Sequence, residues 1–318
     1  MKVYIHFQSI FKWTLSIQVF LWTLILPYTA AFPFESPPDL AEYAPRVNDS
    51  DIPPKHLFRR ASDYTGVTFS STCDANQQQY IKDELDEIKA VLVQAKQQLR
   101  IIRQVIMDKE QPKDWGTRYS ENRRLLNTWQ TYMGWIQLNR MTQPPQYAPG
   151  LTTWAKTAQQ MKLLLCVYKD TRPKGEASSG LTVSATAKLC HKHENAHGWT
   201  LKNDVTLNDE ICICPGTFKR TNTANKLSQY ANDMSALNGK TLDQMKFEAA
   251  AGTLLHELTH CEHILGSDKT GDQSFIHMSK PEKAYQAARI ALFASYHPEL
   301  TVKNADTLAY FALGSYAV

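Results

Sequence analysis

Five residues towards the C-terminal end, His256-Glu257-Leu258-Thr259-His260, constrain this chain more than any others. Around them Leu254, Leu258, Cys261 and Leu265 recur at the i, i+4, i+7, i+11 spacing of a buried stripe, which predicts a packed helix. In a helix His256 and His260 are about one turn apart and leave from the same face. Two imidazoles placed in this way can grip one Zn²⁺, and Glu257 stands beside them where it can take a proton from a water. Two solvated histidines on an ordinary helix would show the same spacing. The apolar stripe, with the small residues Ala249, Ala250, Ala251 and Gly252 leading into it, argues for a packed face instead.

The 318 residues carry a net charge of +4 and are 43% hydrophobic, which suits one or two globular domains and gives no reason to expect a nucleic-acid partner. Lys2 and Lys12 precede an apolar run over 13–26, followed by Pro27 and the small residues Thr29-Ala30-Ala31. This predicts a signal peptide over 1–31, cleaved after Ala31. The run is short for a membrane span and contains Thr14, Ser16, Gln18 and Thr23, so no stable membrane association is expected once it is removed. Residues 32–60 hold six prolines and end in Arg59-Arg60, the pattern of a pro-segment released by dibasic processing, and so of a zymogen. Asn48-Asp49-Ser50, a glycosylation sequon, lies within it. A secreted, extracellular domain over 61–318, monomeric, is the expectation. It contains all six cysteines, Cys73, Cys166, Cys190, Cys212, Cys214 and Cys261, enough for three disulfides among 15 possible pairings. Cys212 and Cys214 share one side of a strand and should pair elsewhere.

Along that domain, Ile81, Leu85, Ile88, Leu92, Ala95, Leu99 and Ile102 predict a long helix over 79–109. A second helix is expected over 121–137, ahead of a breaker-rich stretch at 144–150. The apolar runs at 161–168 and 211–214 read as strands. Cys190-His191-Lys192-His193-Glu194-Asn195-Ala196-His197 reads as a polar loop, because no carboxylate or cysteine framework completes a metal site there. Helices are expected from about 242, over 281–294 and over 306–313. The fold class is therefore α+β, with the sheet and the histidine helix forming one side of a cleft.

Ile211-Cys212-Ile213-Cys214-Pro215-Gly216-Thr217-Phe218, His256-Glu257-Leu258-Thr259-His260 and Asn304-Ala305-Asp306-Thr307-Leu308-Ala309-Tyr310-Phe311-Ala312 together resemble the edge strand, active helix and C-terminal element of a known family. It is the deuterolysin and lysine-specific metallo-endopeptidase group, the aspzincins of fungi. The resemblance runs from about 151 to 316 and implies a zincin-like fold. It also implies a third zinc ligand, an aspartate in Gly-Thr-x-Asp-x-x-Tyr-Gly, from which this chain departs. Counting back from Asn304 places Glu282 at the aspartate, Tyr285 at the tyrosine that stabilises the transition state, and Gln286 at the glycine. Lys269-Thr270-Gly271-Asp272 offers Asp272 instead, with Phe275 where the tyrosine would stand, and Asp268 is a further candidate. Asp306 is expected to start the last helix or to orient a ligand histidine.

These readings predict a zinc endopeptidase acting on polypeptides. His256, His260 and Glu282 hold Zn²⁺, Glu257 is the general base and Tyr285 donates to the oxyanion. The alternative is a secreted, catalytically impaired binding protein on the same scaffold.

Overall fold

The computed structural model describes residues 66–107, 122–134, 148–165, 180–185, 190, 196–219, 226–228, 230 and 239–316. The expected signal peptide, pro-segment and sequon lie outside the described residues. In chain order the elements are β1 (Val67–Phe69), α1 (Ala75–Met107), α2 (Arg123–Met133), α3 (Ala148–Leu165), β2 (Leu181–Ser184), β3 (Gly198–Lys202), β4 (Asp209–Ile213), α4 (Pro215–Lys219) and α5 (Leu242–Glu248). Then come α6 (Ala250–His260), α7 (Glu262–Leu265), β5 (Ser274–His277), β6 (Lys280–Lys283), α8 (Ala287–Tyr296) and α9 (Ala305–Tyr316). The architecture is mostly helical, with a small mixed sheet in the order β1-β2-β4-β3 and a separate β5–β6 hairpin.

The α1 stripe anticipated from its spacing is buried along its whole length, from Ile81 to Ile102, and packs on α9, α3 and α6. Each large aliphatic side chain so buried contributes about 1.5–3 kcal/mol. This burial, more than helix propensity, holds the long helix. Two expectations change. Residues 161–165 close α3 instead of opening a strand: Thr157, Met161 and Leu164 are buried at helical spacing, and a short leucine-rich run does not by itself distinguish the two states. The residues 281–294 do not form one helix, because Pro281 and Glu282 lie on β6 and α8 begins at Ala287.

In the sheet, β4 pairs in parallel with β2 on one side and antiparallel with β3 on the other. The edge strands are therefore β1 and Gly198–Lys202, and the 211–213 segment expected at the edge is internal. Strand β3 carries Gly198 and Thr200 to the Glu257 side chain of α6, as described below. Among the described residues one disulfide, Cys190–Cys214, ties Cys190, ahead of β3 in the chain, to the end of β4. Cys73 and Cys261 are buried. Cys166 lies outside the described residues.

The start of α6 has no side-chain cap of its own, since its N-cap residue is Ala249. The cap comes from α1: Ala251 N–H donates to Glu84 Oε2 at 2.7 Å, from a carboxylate that is 4% exposed. Burial pushes the Glu84 carboxyl up to about 7, with Glu87 and Asp83 adding to it and the Ala251 N–H and Lys226 opposing. The folded chain thus holds this proton to higher pH than the unfolded chain, whose value is 4.5. The stability this contributes is complete below pH 4.5 and is lost as pH rises through about 7, a change of about 3 kcal/mol. Glu84→Gln, which keeps an acceptor for Ala251 but no charge, is expected to flatten that slope. Urea unfolding at a series of pH values checks it, and parallel stability curves for the two proteins would reject it.

Candidate metal centre

Helix α6 brings His256 and His260 onto one face, and their Nε2 atoms stand 3.2 Å apart. Asp272 Oδ1 lies 3.4 Å from each of them. Among the described residues, His256, His260 and Asp272 are the His, Cys, Asp or Glu side chains that converge closely enough to hold a metal ion. For Zn²⁺ bonds of about 2.0–2.1 Å, three corners of a tetrahedron lie about 3.3 Å apart. The three donor atoms stand at that spacing, and the residues fit zinc.

Each donor is aimed by a second contact. His256 Nδ1 is 2.6 Å from Asp306 Oδ1, and His260 Nδ1 is 3.1 Å from the Thr270 carbonyl, to which its N–H donates. Both rings therefore turn Nε2 towards the shared point. Asp272 is placed by long-range contacts. Thr270 N–H donates to the Thr259 carbonyl at 2.9 Å, the two threonine hydroxyls meet at 2.7 Å, and Thr270 Oγ1 donates back to the Thr259 carbonyl at 3.0 Å. Gly271 N–H donates to the Lys303 carbonyl and accepts from Ala305 N–H at its own carbonyl. The aspartate is thus clamped between the end of α6 and the start of α9.

Electrostatics follow this arrangement. Burial and the Lys246 ammonium push the His256 imidazole down, but hydrogen bonds to Asp272 and Asp306 prevail and raise it to about 9. Burial alone would raise the Asp272 carboxyl, yet the two histidines hold it far below the usual carboxylate range. In the absence of metal a proton on His256 balances the carboxylates, and a bound cation would replace it.

Glu257 is 5% exposed and does not join the three donors. Its Oε2 accepts from Thr200 Oγ1 at 2.8 Å, on the edge strand β3. A Cβ added at Gly198 would stand 3.1 Å from Glu257 Cγ and 3.2 Å from Oε1, so glycine lets the strand close over the carboxylate. Tyr285 brings its ring centroid to 6.2 Å from that of His256, and its hydroxyl lies near enough to Asp272 to help hold that carboxyl low. Burial first, then Asp272, raises the phenol, which stays protonated.

The position expected of Glu282 needs correcting. Glu282 lies on β6 and pairs with Arg289 Nε at 3.3 Å, outside the donor cluster that His256, His260 and Asp272 form. Counting back from Asn304 reaches Tyr285 but not Asp272, because the β5–β6 hairpin separates the two, turning at Met278 and Ser279, both at positive φ. The aspartate of one reading and the tyrosine of the other meet at one site. Phe275, weighed as the tyrosine's replacement, packs against Phe293. Gln286, standing where the resemblance has glycine, adopts φ 68°, ψ 153°, a backbone region favouring glycine that costs about 1–3 kcal/mol. Asp268 closes a 3-10 turn, and its carbonyl accepts from Gln160. Asp306 sits in the first turn of α9 and also orients His256. His197 precedes β3 with its ring near Phe247, while His191 and His193 lie outside the described residues. Gly198, Thr200 and Lys246 carried no signal in one sequence. For Asp272 the preceding Thr-Gly was a signal, outweighed by the tyrosine count.

No family model matches the chain, and no curated protein matches it. Among solved structures it is similar to a zinc peptidase from Grifola frondosa, at 15% identity and a TM-score of 0.33, over 76% of this chain and 96% of that one. A likeness this distant identifies no family.

Proposed function

We propose that this protein is a secreted zinc-dependent endopeptidase in which His256, His260 and Asp272 hold the metal. The observation that carries the reading is the spacing of three lone-pair donors, 3.2, 3.4 and 3.4 Å apart, beside a buried carboxylate that is not one of them. When bound, zinc supplies Lewis acidity for the scissile carbonyl and makes a water acidic enough to attack it near neutral pH. Glu257, held in place by the Thr200 hydroxyl, would act as the general base towards an attacking water and return the proton to the leaving amine. Tyr285 offers its protonated hydroxyl to the developing oxyanion. The edge strand β3, flanking Glu257, provides backbone groups along which an extended polypeptide can pair.

The motive for the alternative, an impaired scaffold, is the altered third-ligand motif, and the convergence of Asp272 with the two histidines favours the peptidase reading over it. Secretion is supported by the N-terminal pattern and by a disulfide. Among the described residues no helix is long and apolar enough to cross a membrane. Purified mature protein is expected to bind one zinc per chain, to cleave an unfolded polypeptide at internal bonds, and to lose that activity to a chelator with recovery on adding zinc. Cleavage that persists in metal-free protein would sink the proposal.

A further inference from the structure

Behind His256 lies a buried cation that the mechanism does not use. Lys246, in the last turn of α5, is 7% exposed, and its ammonium pairs with the Asp306 carboxylate, itself 1% exposed. The same Asp306 oxygen that meets His256 Nδ1 meets Lys246 Nζ, while Oδ2 faces Gln286 N–H at 3.4 Å. The ammonium also stands 5.1 Å from the Tyr310 ring centroid and 5.8 Å from that of Phe247. Tyr310 is held in turn, its hydroxyl donating to Asp243, which also accepts from Ala287 N–H. A Cβ at Gly252 would stand 2.6 Å from the Lys246 carbonyl oxygen, so glycine on α6 lets the lysine's backbone lie against the histidine helix.

A buried ammonium is costly, and an apolar residue would fill the same volume. Its placement points to a job on the carboxylate. Asp306 without Lys246 would be a desolvated anion held only by His256 Nδ1, the ring it has to orient, and by a 3.4 Å contact with Gln286 N–H. We propose that Lys246 is a positioning residue: it pins Asp306 and offsets its charge, so that His256 is held with Nε2 on the metal position. The inference rests on the metal reading above. It adds a third layer to the site, running from α5 through α9 to α6.

The test is zinc affinity, by competition with a chromophoric chelator, on the full mature chain. Lys246→Met keeps the stem and removes the charge, and is expected to weaken zinc binding by about 10–100-fold. The visible spectrum of the Co²⁺-substituted protein should change with it. Asp306→Asn should weaken zinc to a similar degree, and the double variant should be no weaker than either, because both act through one contact. A merely structural lysine would lower the melting temperature and leave zinc affinity and the Co²⁺ spectrum unmoved. Should Lys246→Met fail to fold, Lys246→Gln carries the same expectation. Affinity within twofold of wild type, or effects that add, would overturn the role of Lys246 alone. Wild-type protein that takes up no zinc would overturn the metal reading, and this inference with it.

Discussion

Glu257→Gln is expected to cut peptide hydrolysis by about 10²–10⁴-fold while leaving one zinc per chain. The two halves of that result separate because Glu257 is not one of the three converging donors. Glutamine keeps the volume that Gly198 leaves open, and its amide oxygen can still accept from Thr200 Oγ1. What it lacks is the basicity to receive a proton. Peptide products resolved by chromatography, with zinc measured on the same sample by elemental analysis, decide the matter. A variant that retains its metal and its activity would remove Glu257 from the mechanism.

The second large effect separates two carboxylates. Asp272→Ala is expected to lower zinc affinity by more than about 100-fold, beyond the usual effect of a residue that only orients a ligand, and to abolish cleavage. Glu282→Gln should keep both. Its partner Arg289 is about half exposed, and such an ion pair is worth about 0–1 kcal/mol. Zinc titration and a cleavage assay on both variants check the pair of outcomes together. Zinc lost from Glu282→Gln and kept by Asp272→Ala would return the third corner to the residue that linear counting favoured.

Much of the fold was legible where one element suffices to define it. The α1 stripe from Ile81 to Ile102 is buried as its spacing requires, and so are Leu254 and Leu258 on α6; Cys261 and Leu265 are buried too, but α6 ends at His260 and Leu265 lies on α7. Burial of one face of a helix leaves a periodic trace in the chain. The 161–165 run left no such clear trace, because consecutive leucines satisfy helix and strand alike. The order of the sheet was not legible either, since β4 and β3 differ in position through pairing partners far away in sequence.

The same division runs through the site. That His256 and His260 share one helix face was legible in the sequence alone, because a 3.6-residue repeat brings i and i+4 together without outside help. Which carboxylate converges with them was decided by tertiary structure. Thr270 had to meet Thr259, and Gly271 had to bridge Lys303 and Ala305, before Asp272 could face the two rings. A hairpin between Asp272 and Tyr285 hid their pairing from any count along the chain. Glu84 on α1 and Lys246 on α5 reach the histidine helix through packing, from 167 and 10 positions upstream of Ala251 and His256 respectively. Local spacing is written in the chain. Which distant carboxylate arrives at a shared point depends on how helices and loops pack in three dimensions.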